Sequence, residues 1–210
     1  MILGPSTRWT VLVGALAGAT LLSGCAPLLL GGAAVGTAMV VTDRRTSGAQ
    51  VDDQAIELKA VNRISEVLGD RGHAIVTSFN RLVLITGEVP NETDKAAVEQ
   101  AVSRIENVRS VVNELAIAPP ASLSTRSNDT LITSKIKASL IDAKDLQVNA
   151  FKVVTERGIV YLMGRVTERE ANRSSDVARG VSGVQKVVRV FEVVSEAELA
   201  GTQPTTPPVK

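Results

Sequence analysis

An internal duplication between residues 52 and 195 of this 210-residue chain constrains its fold more than any other feature. The segment DQAIELKAVNRI (53–64) aligns with DTLITSKIKASL (129–140), pairing Asp53 with Asp129, Ile56 with Ile132, Lys59 with Lys135 and Ile64 with Leu140. Further on, RLVLITGEV (81–89) aligns with GIVYLMGRV (158–166), and Gly87 falls opposite Gly164. IENVRSVVNELAI (105–117) then aligns with VSGVQKVVRVFEV (181–193), at an offset of 76 or 77 residues throughout. Two copies predict two similar small domains, 52–118 and 128–195, joined by a Pro/Ser/Thr-rich linker at 119–127. The Pro/Thr-rich stretch 196–210 reads as a disordered tail.

Each copy parses as α-β-β-α-β, an α+β architecture. In the second copy, Asn128 or Asp129 is placed to cap a helix running to residue 140, with Ile132, Ile136 and Leu140 as its apolar stripe. Strands are expected at 148–155 and 159–166, with Glu156-Arg157-Gly158 as the tight turn between them. Thr167 and Glu170 form a capping box that opens a second helix. That helix carries Ser174, Val177, Ala178 and Val181 on one face, and Gly183 stops it. A third strand covers 186–194. The first copy gives helices at 53–68 and 91–105 and strands at 74–79, 82–88 and 110–117, with Val98, Ala101, Val102 and Ile105 buried on its second helix. Two helices packed on one face of a three-stranded sheet bury these stripes. Each copy is near the smallest size that sustains one core, so the two are expected to pack together.

The N-terminal region has a different character. Arg8 precedes an uncharged apolar run at 9–22, and Ser23 and Gly24 come immediately before Cys25, the only cysteine. This is the pattern of a secretory signal, 1–24, and the run is too short to span a bilayer. Leu22-Ser23-Gly24-Cys25 resembles the lipobox of bacterial lipoproteins. That resemblance implies cleavage before Cys25 and acylation of its thiol, and a lone exported thiol otherwise lacks a partner. Two or more acyl chains, at about 0.8 kcal/mol per buried methylene, anchor a protein stably. No aspartate follows Cys25; in that family this implies the outer membrane. Residues 25–51 read as a Gly/Ala-rich tether, and the GGAAVG within it lacks the order and flanking strand of a nucleotide loop.

The α-β-β-α-β repeat with its glycine late in the second strand resembles the BON domain. The whole layout is similar to the dual-BON outer-membrane lipoproteins of the DolP type: lipobox, tether, QVDD (50–53), domain, linker, SNDTLITSKI (127–136), domain. VVTERGIVYLMGRVTERE (153–170) carries the most specific likeness. The resemblance implies two tandem BON domains in a non-enzymatic, lipid-anchored, periplasm-facing protein. It further implies binding of anionic, phosphatidylglycerol-like phospholipid through the first helix of the second domain, in support of outer-membrane integrity.

Charge separates the copies. Residues 52–118 hold 11 acidic and 7 basic side chains, net −4, whereas 128–195 hold 8 acidic and 11 basic, net +3. Only the second is drawn to an anionic surface. The candidate lipid contacts are Asn128, Thr130, Leu131, Lys135, Lys137 and Lys144. Each lysine near such a surface contributes about 1 kcal/mol, sufficient for a chain already tethered there. Leu131 lies about 100° around the helix from Ile132, so it either points outward into lipid beside the helix N-terminus or packs against the core or the first domain. The lysines equally suit a solvated helix face.

An enzyme is disfavoured. His73 is the only histidine, and no metal-ligand spacing, nucleophile signal or cofactor motif accompanies it. Nucleic acid is disfavoured by export and by the 2% aromatic content. The competing expectation is an adaptor that docks outer-membrane assembly proteins, or a peptidoglycan-remodelling partner, through strand edges or the first copy's surface.

Overall fold

Asp53 and Asp129, the first residues matched between the copies, show how each domain is tied together. The computed structural model describes residues 43–202; the signal, Cys25, the tether up to residue 42 and the end of the tail lie outside the described residues. In the first domain α1 (Ser47–Leu68) is followed by the hairpin β1 (His73–Phe79) and β2 (Leu82–Val89). Then come α2 (Glu92–Ser103), β3 (Ser110–Asn113) and a short β4 (Ala116–Ile117). The second domain repeats this with α3 (Leu123–Asp142), β5 (Phe151–Glu156), β6 (Ile159–Val166), α4 (Glu168–Arg179) and β7 (Lys186–Val193), and a last helix, α5 (Glu196–Thr202), follows it.

Both hairpins turn on two residues with positive φ, Asn80-Arg81 and Arg157-Gly158, the requirement of a type I′ turn. The N–H groups of each turn are collected by a buried aspartate from the preceding long helix. Asp53 accepts from Asn80 N and Arg81 N at 2.8 and 2.7 Å. Asp129 accepts from Arg157 N and Gly158 N, both at 2.8 Å. Each β1-type strand pairs antiparallel with the central strand, and each β3-type strand pairs parallel with it. The late glycines sit where the central strand crosses its neighbour closely. A Cβ on Gly87 would fall 2.0 Å from the His73 carbonyl oxygen, and one on Gly164 would fall 2.3 Å from that of Ala150.

One face of each sheet carries the helices. Ile56, Ala60, Ile64 and Leu68 of α1 meet Val83, Ile85 and Val89 of β2 and Val98 and Val102 of α2. Ile132, Ile136 and Leu140 of α3 make the same layer with Val160, Leu162 and Val166. The opposite faces pack on each other: Phe79 and Leu84 of the first sheet share a cluster with Tyr161, Met163 and Val190 of the second. The residues between Asp43 and α1 tie this sandwich at one end. Arg44 donates to both carboxylate oxygens of Glu170 at 2.7 and 2.8 Å, and to the Arg165 carbonyl. Arg45 pairs with Asp53 at 2.8 Å and lies 4.4 Å from the Phe79 ring centroid.

Several sequence expectations are corrected. α3 begins at Leu123, capped by Ser122, so Asn128 and Asp129 lie in the helix interior and the expected linker is helical from residue 123. The cause is local: Ser122 accepts from Thr125 N, and the long polar first turn needs no apolar stripe. α1 likewise starts within the expected tether, capped by Thr46. Residues 196–202 form a helix where a disordered tail was expected, and Leu199 is buried. The strand expected at 110–117 breaks at Glu114-Leu115, where Leu115 turns into the core. Residues 148–150 form a 3-10 turn rather than strand. α4 ends at Arg179 rather than at Gly183.

Candidate functional site

The expected lipid contacts all fall on α3 and the turn after it. The helix advances about 100° per residue, so its buried side is centred on Asp129, Ile132, Ile136 and Leu140. The opposite side presents Ser127, Leu131, Ser134 and Ala138, with Leu123 and Ile141 beside them. Leu123 is 83%, Leu131 59% and Ile141 63% exposed, an apolar strip with small residues between its members. Leu131 therefore faces solvent, not the core and not the first domain. Lys135 and Lys137 flank the strip about 160° apart. Lys135 donates to Ser182 Oγ at 3.2 Å on one side. Lys137 lines a cavity of about 390 Å³ on the other, with Thr130, Thr133 and the first domain's His73 and Ile75. Lys144 is exposed in the turn beyond the helix, and Asn128 is exposed on the Lys135 side.

Two expected features differ. The helix N-terminus lies eight residues before Leu131, so no free N–H group of that terminus stands beside it. The Thr130 hydroxyl donates to the Arg126 carbonyl at 3.0 Å and is spent within the helix. Sequence reasoning also missed Leu123 and Ile141. Ile141 stands one residue past the assumed end and Leu123 five before the assumed start; only the longer helix puts both on its outward side, about 80° around from Leu131.

Charge near this face follows the domain contact. Burial, reinforced by Glu88 and Asp129, pushes the Glu156 carboxyl above the usual range, with Arg126 and Arg157 opposing. Burial and Arg126 hold the His73 imidazole below its ordinary value against the pull of Glu88. Glu88 is wholly buried; its nearest cation is Arg157 Nη1 at 3.5 Å, and its Oε2 has no hydrogen-bond partner. Among the described residues no group of three or more His, Cys, Asp or Glu side chains converges as a metal site. Among them, too, no helix is long and apolar enough to cross a membrane.

The family model described as the BON domain matches residues 52–119 and again 128–195. The chain belongs to the BON-domain family. Its two BON domains place it with dual-BON proteins of the DolP type. It is 35% identical over 194 residues to Outer membrane lipoprotein DolP of Haemophilus influenzae, covering 91% of this chain and 98% of that protein. It is 30% identical to a 21 kDa hemolysin of Actinobacillus pleuropneumoniae over 72% of this chain and 79% of that one. Osmotically-inducible protein Y of Escherichia coli is 28% identical over 67% of this chain and 72% of its own length. BON sequences therefore account for both halves of the sandwich.

Proposed function

We propose that this chain is an outer-membrane lipoprotein, held through Cys25 and facing the periplasm, whose second BON domain meets anionic phospholipid headgroups with the outer face of α3. It does so without catalysis and in support of outer-membrane integrity. The likeness to Outer membrane lipoprotein DolP supports the location. One observation carries the lipid contact: an apolar strip of Leu123, Leu131 and Ile141 flanked on both sides by lysine.

A helix of this pattern lies in the headgroup layer with its apolar side down and its lysine stems reaching sideways to the phosphates. Fully burying one leucine-sized side chain contributes roughly 1.5–3 kcal/mol. Each lysine near an anionic surface adds about 1 kcal/mol. The sum is modest, as suits a domain that a lipid anchor already confines to the surface. The net charge of +3 on the second domain, against −4 on the first, sets which domain turns toward the bilayer.

The test is co-sedimentation of unlipidated residues 43–210 with vesicles. Phosphatidylglycerol-containing vesicles are expected to retain the fragment in low salt and release it in high salt, and phosphatidylcholine vesicles are expected to leave it in solution. Leu131→Glu/Ile141→Glu is expected to lower retention at least tenfold. Retention that ignores both headgroup and variant contradicts the reading.

A further inference from the structure

The exposed edge of the first BON domain carries a second surface. β1 is the outer strand of its sheet, with β2 on one side only. At its far end the edge is closed: Ser78 N donates to Glu57 Oε1 at 2.8 Å, and the Ser78 carbonyl accepts from Lys152 Nζ at 3.2 Å. In an antiparallel ladder the outward groups recur every second residue. The N–H and C=O of Ala74 and Val76 therefore point outward as well, along the stretch that Glu57 and Lys152 leave open. Exposed edges are ordinarily blunted by charge or cover.

This open stretch forms the floor of a groove of about 630 Å³, lined by residues 72–76 and by Leu58, Val61 and Ser65 of α1. Leu58 is 71%, Val61 66% and Ile75 44% exposed. The duplication supplies an internal control. In the second domain the equivalent positions are Ser134, Lys137 and Lys152, and the fold is the same. The three apolar residues are thus not required by the BON fold. Glu57 is the only carboxylate lining the groove, and it is already engaged by Ser78 N and Lys152.

We infer that this groove binds an extended segment of a partner protein, about four to six residues long, uncharged and apolar at alternate positions, as an added strand on β1. The free backbone groups specify a polypeptide, and the apolar, charge-poor wall specifies its side chains. A bilayer supplies no backbone to pair with, and a domain of net charge −4 is repelled by anionic lipid. The inference stands independently of the lipid contact on α3.

The test pans a phage-displayed library of random dodecapeptides on the full-length lipoprotein in phosphatidylcholine nanodiscs. Enriched peptides are expected to alternate apolar residues, and the best one, synthesised, to slow hydrogen exchange at Ala74 and Val76. Leu58→Ser/Val61→Lys/Ile75→Lys installs residues that the second domain already carries there, so the fold is retained. It is expected to weaken peptide binding at least tenfold while retention on phosphatidylglycerol vesicles is not lowered, since the two added lysines can only favour an anionic surface. N-methylation of alternate peptide amides is expected to abolish binding. No enriched sequence, equal binding by the variant, or tolerance of N-methylation overturns the inference. So does a variant whose only loss is vesicle retention, or only a concentration-dependent dimer.

Discussion

Asp129 is the side chain on which the second domain's hairpin depends. The residue is 5% exposed, and its carboxylate is the acceptor for both N–H groups of the Arg157-Gly158 turn. Replacing it by alanine leaves two donors unmet near the core, and hydrogen bonds to a charged group contribute roughly 1.5–3 kcal/mol each. Asp129→Ala is expected to cost about 3 kcal/mol, measured by urea denaturation, and a loss below about 1 kcal/mol would contradict this role. The match of Asp53 with Asp129 was legible in the sequence, but its purpose was not. An aspartate before an apolar stripe reads as a helix cap, whereas the turn it serves lies 28 residues further on. Gly164 was legible as a repeated glycine; that the Ala150 carbonyl excludes a Cβ there required the strand pairing. Gly164→Ala is expected to lower the Tm by several degrees in a thermal melt, while Gly180→Ala, whose Cβ would make only ordinary contact with the Val177 carbonyl oxygen at 3.5 Å, is expected to change it little.

At the scale of elements, helix and strand types followed from periodicity, and the two long-helix starts that differ from expectation are polar. α1 and α3 each begin five or more residues before their apolar stripe, where Thr46 and Ser122 cap turns that bury only Ala49. The exposure of Leu123 on the outer side of α3 was hidden for that reason. The capping box at Thr167 is the one the sequence predicts, but its glutamate has a second partner, Arg44, that local spacing does not reveal. Burial by itself raises the Glu170 carboxyl; Arg44 and the Thr167 N–H outweigh it and hold the group below the usual range. A depressed carboxyl stabilises the fold above its unfolded pKa, and that stability is lost as pH falls through the folded value. Glu170→Gln is therefore expected to lose stability at pH 7 and to approach the parent as pH drops below about 4. Chemical denaturation across pH 3–7 measures this, and a parallel pair of curves would contradict it.

Over the whole molecule, the duplication and the charge difference between copies were visible in the sequence, and the expected packing of the copies together is realised sheet to sheet. The faces involved were not separable beforehand, because β2 and β6 are apolar on both sides and alternation cannot rank them. Leu84 and Tyr161 meet where the two sheets join. Leu84→Asp is expected to separate the domains, enlarging the radius of gyration in small-angle X-ray scattering while each domain keeps its secondary structure; an unchanged radius would contradict the shared cluster.

The most direct test of lipid contact uses a cysteine placed in residues 43–210, which contain none of their own. A nitroxide at Leu131→Cys is expected, on phosphatidylglycerol vesicles, to gain collisions with oxygen and lose them with a water-soluble nickel relaxant, while one at Leu58→Cys stays in water. A label at 131 as accessible to nickel with vesicles as without them would contradict the second BON domain's contact with the bilayer.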